Sequence, residues 1–354
     1  MRVKIDDFKV VEVKASQKKE IVDYGVRMVG APLEWRETTG KGIKVGIIDT
    51  GIDLNHEDLQ DRVKEYINFT SRDKKDVTDE NGHGTHVAGV VAANRNNVGV
   101  VGVAPEADLY IAKAFDKEGN ADTSAVFNSL TWMAERNVDV INMSFSSQTT
   151  TREYQRVISY LDNSGITLVC AAGNEGISES GSGDTIGYPA KFDETIAVTA
   201  VDMNKKRTDF SSVGTAAEVA AAGKDIFSCY KDNTYATLSG TSMATPIITG
   251  AVALLQAQGI KKHGRRLTPE EIRILLHVYS EDLGEPGRDS EYGYGLFSFG
   301  RINESDYISD MNYNRERVRS NGNYPYSRSA IMRKQLFRTN NTVLGMALIK
   351  FLFL

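Results

Sequence analysis

Ile43-Lys44-Val45-Gly46-Ile47-Ile48-Asp49-Thr50-Gly51 decides the fold: a short, β-branched apolar run that stops on a carboxylate and a glycine turn. Similar runs recur at residues 109–115, 138–143, 166–171 and 195–201. Between them lie stretches of helical character at 83–93, 123–136 and 154–163. Strand, helix and strand repeated in this way predict a doubly wound α/β fold, a mostly parallel sheet with helices on both faces. Such sheets bind ligands beyond the carboxyl ends of their strands. Asp49 and Asn174 both fall just past the end of a predicted strand, which is where a site belongs.

Residues 242–258 are small and apolar and read as a buried helix. Ser242 would stand at its N-terminus, where unpaired N–H groups and the helix dipole favour developing negative charge. A last helix is marked by Thr268 as N-cap, Pro269 at the first helical position and Glu271 completing a capping box. The expected organisation is an extension at residues 1–18 that could be a short propeptide, one large unit at 19–303, and a tail at 304–354. The tail is rich in Asn, Ser, Arg and Tyr, which predicts loose order. From Val343 to Leu354 it is almost wholly apolar. That run is too short for a bilayer; a docked strand or helix, a membrane or partner contact, and an accident of the reading frame stay open.

The chain of 354 residues is long enough for a large core. Its 41% hydrophobic and 25% charged residues are ordinary for a globular protein. A net charge of −5 offers no basic face, so nucleic acid is not an expected partner. Charges interrupt every apolar run in the first twenty residues, so no signal-peptide core is expected. No run reaches the roughly 18 apolar residues of a membrane span, and membrane contact is not expected. Cys170 and Cys229 could form one disulfide, but Cys170 ends a predicted buried strand and reads as a reduced core thiol. Sparse cysteine and the missing export signal predict a cytoplasmic protein. A homodimer stays open.

Three segments carry chemistry: Ile48-Asp49-Thr50-Gly51, Asn81-Gly82-His83-Gly84-Thr85-His86-Val87-Ala88-Gly89 and Gly240-Thr241-Ser242-Met243-Ala244-Thr245-Pro246. A serine alcohol is a poor nucleophile and needs a base, and the base needs an orienting carboxylate. His83 and His86 lie one helical turn apart, which raises a zinc reading; no Glu follows His83 as a zinc peptidase requires. Ser242 could equally be a helix cap, and Asp49 a turn residue with Asp53 and Asp58 as rivals.

The three segments closely resemble the active-site signatures of the subtilisin-like serine peptidases, in the same chain order of Asp, His and Ser. The resemblance runs from about residue 20 to about residue 300, and the short leader resembles that of the intracellular subtilisins. It implies a serine endopeptidase with Ser242 as nucleophile, His83 as general base, Asp49 as orienting carboxylate and Asn174 as oxyanion donor. It implies protein or peptide substrates held in extended form between Gly119-Asn120-Ala121 and Ser144-Phe145-Ser146. The primary pocket would include Ala171, Ala172, Gly173 and Gly187. Ser146-Ser147 stands where the family usually has Gly-Gly, and Ala121 where Gly is common, so the cleft is expected to be narrower. A structural Ca²⁺ would be held by Glu20, Asp58, Asn94, Asn96, Val98 and Val100, an oxygen-rich set. An Asn-rich surface turn is the alternative there. A second ion site at residues 190–194 with Glu218 is not assigned. His56, His263 and His277 read as surface or packing residues. Phe8-Lys9-Val10-Val11-Glu12-Val13 is β-prone and could lie in the cleft as a removable plug, or form an edge strand or a disordered leader. A narrow regulatory peptidase activated by N-terminal processing is the alternative role, and a catalytically silent peptide binder is the rival of another class.

Overall fold

The structure, a computed structural model, describes residues 2–5, 8–178 and 183–300. The expectations for the tail, including residues 343–354, lie outside the described residues. In chain order the strands are β1 (Arg2–Lys4), β2 (Lys9–Lys14), β3 (Lys44–Asp49), β4 (Val63–Asn68), β5 (Asp108–Lys113), β6 (Asn120–Asp122), β7 (Val140–Met143), β8 (Thr167–Ala171), β9 (Ile196–Val201), β10 (Ala217–Ala222), β11 (Ile226–Tyr230), β12 (Thr234–Ser239), β13 (Ser280–Glu281) and β14 (Leu296–Phe297). The helices are α1 (Tyr24–Met28), α2 (Ala31–Glu34), α3 (His83–Ala92), α4 (Thr123–Glu135), α5 (Arg152–Asn163), α6 (Thr241–His263) and α7 (Pro269–Val278).

Nine strands form one sheet in the order β13-β14-β10-β9-β8-β7-β3-β5-β4. Every pair from β14 to β4 is parallel, and only β13 runs antiparallel, at the edge. The fold is therefore the doubly wound α/β architecture that the alternation of elements predicts. Side chains alternate along each strand and feed two cores. Val45, Ile47, Leu109 and Ile111 join residues of α3 and α6 on one face. Ile48, Tyr110, Ala112 and Ile141 join residues of α4 and α5 on the other. Both faces are covered, which explains why β3, β7 and β8 read as continuous apolar runs. Each fully buried Val, Leu or Ile contributes about 1.5–3 kcal/mol relative to exposure.

Helix α6 lies at the centre. It is apolar on every side and packs against α3 and the strands β7, β8, β9 and β10. Its length and hydropathy would suit a membrane span, yet 83% of its apolar window is buried inside the fold. It is a core helix, with Lys261, Lys262 and His263 at its end and Gly264 closing it at φ 67°. Helix α7 carries the expected capping box between Thr268 and Glu271.

Two smaller sheets involve the N-terminus. β1 pairs antiparallel with β6, and β2 adds to the β11–β12 hairpin. The stretch from Phe8 to Val13 is thus divided: Lys9–Lys14 forms the edge strand on β12, Phe8 lies over His83, and Arg2–Lys4 lies along β6. The reason is side-chain pattern. Val3 and Ile5 flank Lys4 and bury themselves on one side, whereas every residue of β2 stays exposed, as suits an edge strand.

Candidate active site

Strand β3 delivers Asp49 to the carboxyl end of the sheet, and β7 and β8 end beside it at Met143 and Ala171. Strand order reverses about β3, whose neighbours β5 and β7 lead to opposite edges. A crevice at that point is inherent to the topology. α3 approaches from the side. A Cβ on Gly84 would overlap the Gly51 carbonyl oxygen, so only glycine lets the helix close on the turn after Asp49. Gly51 itself sits at φ 125°, a left-handed conformation that glycine tolerates.

Asp49 and His83 are both fully buried, and His83 Nδ1 lies 2.8 Å from Asp49 Oδ1. The Thr50 N–H donates to the same oxygen at 2.7 Å. The other ring nitrogen, Nε2, has no hydrogen-bond partner among the described residues. Phe8 covers the ring at a centroid distance of 5.0 Å. The rival carboxylates are engaged elsewhere. Asp53 accepts the N–H groups of Asn55 and Asn233, and Asp58 accepts from Asn96 and Val100.

Ser242 is the second residue of α6 and is buried. Its hydroxyl donates to the Ser144 carbonyl at 3.1 Å, so it is not hydrogen-bonded to His83 in this structure. Pro246 explains a further tie. Lacking an N–H, it leaves the Ser242 carbonyl without its helical donor. The Ser144 hydroxyl fills the gap at 3.0 Å, and it in turn accepts from Asn142 at 2.9 Å. The proline within the signature thus pins the serine to the strand end at residues 142–144. Asn174 accepts from the Thr241 N–H and hydroxyl, both at 2.9 Å, which sets its amide against Gly240 and the start of α6. Asp49 and His83 thus meet each other at the end of β3, while Asn174 is tied to the start of α6 and Ser242, in the same turn, to Ser144.

The cleft residues also converge. The Gly119 carbonyl accepts the Ile5 N–H at 2.9 Å, Asn120 and Ala121 pair with Lys4 and Val3, and Ser146 N–H donates to the Lys4 carbonyl at 3.3 Å. Phe145 is buried against Phe115. Ala172 is buried, and its carbonyl accepts the Gly187 N–H at 3.1 Å. A Cβ on Gly187 would stand 3.0 Å from that of Ser146. Ser146 thus stands close enough to residue 187 that a side chain there would crowd it.

Among the described residues, His86 groups with no other metal-binding side chains. Its Nε2 faces the carbonyls of Ile226 and Ala236 at 3.0 and 3.2 Å. Burial first, and a charge on His83 second, push it down to about 3, so it stays neutral. Two of the histidines read as surface or packing groups have specific partners. His56 is buried with Nε2 at 2.9 Å from the Thr234 carbonyl, and His277 contacts Glu218. His56, Asp58 and Cys229 bring donor atoms within 4.8 Å of one another. Both His56 nitrogens are already engaged, Nδ1 by the Asp58 N–H at 3.2 Å, so the cluster is packing. Cys170 and Cys229 are free and buried.

The loop at residues 94–100 folds over Asp58. Asn96 Nδ2 and Val100 N–H reach its carboxylate at 2.9 and 2.7 Å, Glu20 accepts the Asn97 N–H at 2.9 Å, and the Asn94 N–H bonds the Asp58 carbonyl at 2.8 Å. A Cβ on Gly99 would overlap the Asp58 carboxylate, so glycine is what lets the loop close there. Burial raises the Asp58 carboxyl above its usual range. Two carboxylates, Asn amides and loop carbonyls are oxygen donors of the kind that suits a hard cation such as Ca²⁺, although Asn96 here turns its Nδ2 to Asp58 and its Oδ1 to the Val98 N–H. The segment near residues 190–194 is different. Arg273 fills that role itself, pairing with Glu218 at 2.7 Å and donating to the Asp193 carbonyl at 3.1 Å.

Sequence reasoning missed Asp79, Thr50 and Lys113. Asp79 precedes a glycine-capped helix by four positions, and an acid just ahead of a helix start is a capping signal. Lys113 is buried and donates to the Thr50 and Thr78 carbonyls at 2.5 and 2.9 Å, a role with no local signature.

A model of the subtilase family matches residues 40–295. The chain is 38% identical over 301 residues to an intracellular serine protease of Paenibacillus polymyxa, covering 84% of this chain and 91% of that one. It is 42% identical over 280 residues to subtilisin DY of Bacillus licheniformis, covering 79% and 97%. It is 37% identical over 257 residues to the major intracellular serine protease of Bacillus subtilis, covering 71% and 80%. The chain belongs to the subtilase family and is a serine endopeptidase, a hydrolase that acts on protein substrates.

Proposed function

We propose that this subtilase cuts peptide bonds through an acyl-enzyme formed on Ser242, with His83 as general base and acid, Asp49 as its orienting carboxylate, and Asn174 with the Ser242 N–H as oxyanion donors. The observation that carries the reading is the buried 2.8 Å contact between Asp49 and His83 Nδ1, with Nε2 left without a partner among the described residues. The carboxylate fixes the ring so that Nε2 is the basic nitrogen. Rotation of the Ser242 hydroxyl from the Ser144 carbonyl to Nε2 would hand it the serine proton. The proton then passes to the leaving amine, and water repeats the sequence on the acyl ester. The substrate runs antiparallel to residues 119–121 and 144–146, held by main-chain hydrogen bonds.

A regulatory reading has its own support. Arg2–Ile5 takes the backbone bonds of Gly119 and Ser146 that a substrate would take, and Phe8 covers His83. The N-terminal extension, residues 1–18, is in this reading a plug that must leave before residues 19–303 act. Glu20, Asp58, Asn94, Asn96, Val98 and Val100 would hold Ca²⁺, which supplies loop stability rather than chemistry. A cytoplasmic location fits the two free buried cysteines and the two relatives named intracellular.

Covalent labelling with a serine-reactive fluorophosphonate tests these roles. Full chain, a chain beginning at Lys18 and Ser242→Ala are compared with and without calcium. Labelling that needs Ser242, gains on removal of the leader and weakens with a chelator is expected. Equal labelling of Ser242→Ala sinks the nucleophile assignment, and equal labelling of long and short chains sinks the plug.

A further inference from the structure

A third buried carboxylate joins the two segments that carry Asp49 and His83. Asp79 is almost wholly buried, and five donors converge on it. Its Oδ1 accepts the Thr50 hydroxyl at 2.8 Å, the Gly82 N–H at 2.8 Å and the Asn81 N–H at 3.2 Å. Its Oδ2 accepts the Thr85 N–H at 2.8 Å and the Thr85 hydroxyl at 2.7 Å. Thr50 follows Asp49 directly, and Thr85 lies in the first turn of α3, two residues after His83.

We propose that Asp79 is a positioning residue of the peptidase site, which fixes the Asp49–His83 pair by gripping the Thr50 hydroxyl and the first turn of α3 with one carboxylate. The inference rests on the roles given above to Asp49 and His83. Three features support it. First, the N-cap of α3 is Gly82, which has no side chain to cap the helix. Asp79 takes the orphan Thr85 N–H instead and places its charge at the positive end of the helix that begins with His83. Second, the Thr50 hydroxyl has one proton and two acceptors within reach. Asp79 Oδ1 is at 2.8 Å and Asp49 Oδ1 at 3.3 Å, while the Gly84 N–H at 3.0 Å occupies a lone pair. Asp79 therefore draws that proton away from the oxygen on which His83 Nδ1 depends. Third, all five partners on Asp79 are donors. An amide would turn an N–H₂ group toward either Thr50 or Thr85 and face donor with donor. Lys113 braces the same joint from outside, through the carbonyls of Thr50 and Thr78.

The test uses the full chain for the resonance and, for turnover, the full chain beside the one beginning at Lys18, which lacks the proposed plug. In Asp79→Asn the Thr50 proton falls to Asp49 Oδ1, and the His83 Nδ1 hydrogen bond weakens. The expected result is a low-field His83 Nδ1 proton resonance moved upfield, and kcat on a chromogenic peptide lowered about tenfold to a hundredfold with KM within about twofold. Should Asp79→Asn not fold, Thr50→Val keeps the carboxylate and its helix bonds but removes the hydroxyl. There the grip of Asp79 on Thr50 is lost and the same fall in kcat is expected, with recovery in Thr50→Ser, while the resonance stays in place because no hydroxyl proton is left to fall to Asp49. An unmoved resonance and wild-type kcat in a folded Asp79→Asn, or wild-type kcat in a folded Thr50→Val, overturn the proposal. If neither the wild-type chain nor the wild-type chain beginning at Lys18 labels or cleaves, the peptidase roles have failed, and the resonance alone still decides the part played by Asp79.

Discussion

Two carboxylate–imidazole contacts in this chain have the same length, 2.8 Å, and opposite surroundings. Asp49 and His83 meet at the carboxyl end of the sheet with no cation on them among the described residues, and the far nitrogen of the ring has no hydrogen-bond partner there. Glu218 and His277 meet between β10 and α7. There Arg273 pairs with the same carboxylate at 2.7 Å, and Tyr294 stacks on the imidazole at 3.6 Å. Burial works to raise the Glu218 carboxyl, but Arg273 and His277 overcome it and hold it well below the usual range. In one pair a second cation shares the carboxylate and ties β10 to α7. The other has no such cation, and the second ring nitrogen of His83 has no partner among the described residues. A buried acid–histidine contact is therefore no mark of catalysis in itself; what else the pair meets decides.

The largest effect that would break the comparison is on turnover. His83→Ala is expected to lower kcat by about 10⁶-fold, a size known for subtilisin, a relative, and not a result of this geometry. His277→Gln is expected to leave kcat within about twofold. Steady-state kinetics on an unfolded protein substrate separates them, and a comparable loss in both would abolish the distinction.

Stability should show the reverse order. Glu218→Gln leaves Arg273 buried without its partner and is expected to cost about 3–5 kcal/mol in a denaturant titration. A cost under about 1 kcal/mol would mean that the cluster is not a clasp.

The smallest effect is on pH. Burial, opposed by Glu218, lowers the basicity of His277 in the folded chain. Below its ordinary value of about 6.5 the unfolded chain then binds more protons than the folded one, so stability falls as pH falls. His86 acts in the same direction down to about 3. Asp23, raised by burial to about 6, acts in the opposite direction between about 4 and 6. Thermal midpoints of wild type and His277→Gln measured from pH 7.5 to 5 isolate the one group, because the others cancel in the difference. The wild type should lose more on acidification, and parallel curves would remove His277 from the linkage.

The sequence by itself determined the class of fold and the four residues proposed to do the chemistry. β3, β7 and β8 are buried on both faces and so read as apolar runs, and the signatures place Asp49, His83, Asn174 and Ser242 at element ends. Glycine at 51 and 84 and proline at 246 are local demands of backbone geometry, which is why they show in a linear pattern. Contacts between distant segments do not show. Only the tertiary structure decided that Asp79 ties Thr50 to Thr85, that Ser144 completes the hydrogen bond Pro246 cannot make, and that Arg273 stands where an ion had been considered. It also decided which part of the leader enters the cleft. Arg2–Ile5 and Lys9–Lys14 are both β-prone, and their partners, 120–122 and 234–239, are chosen by packing across more than a hundred residues of chain. Periodicity reports which side of an element is buried; it carries no address for what buries it.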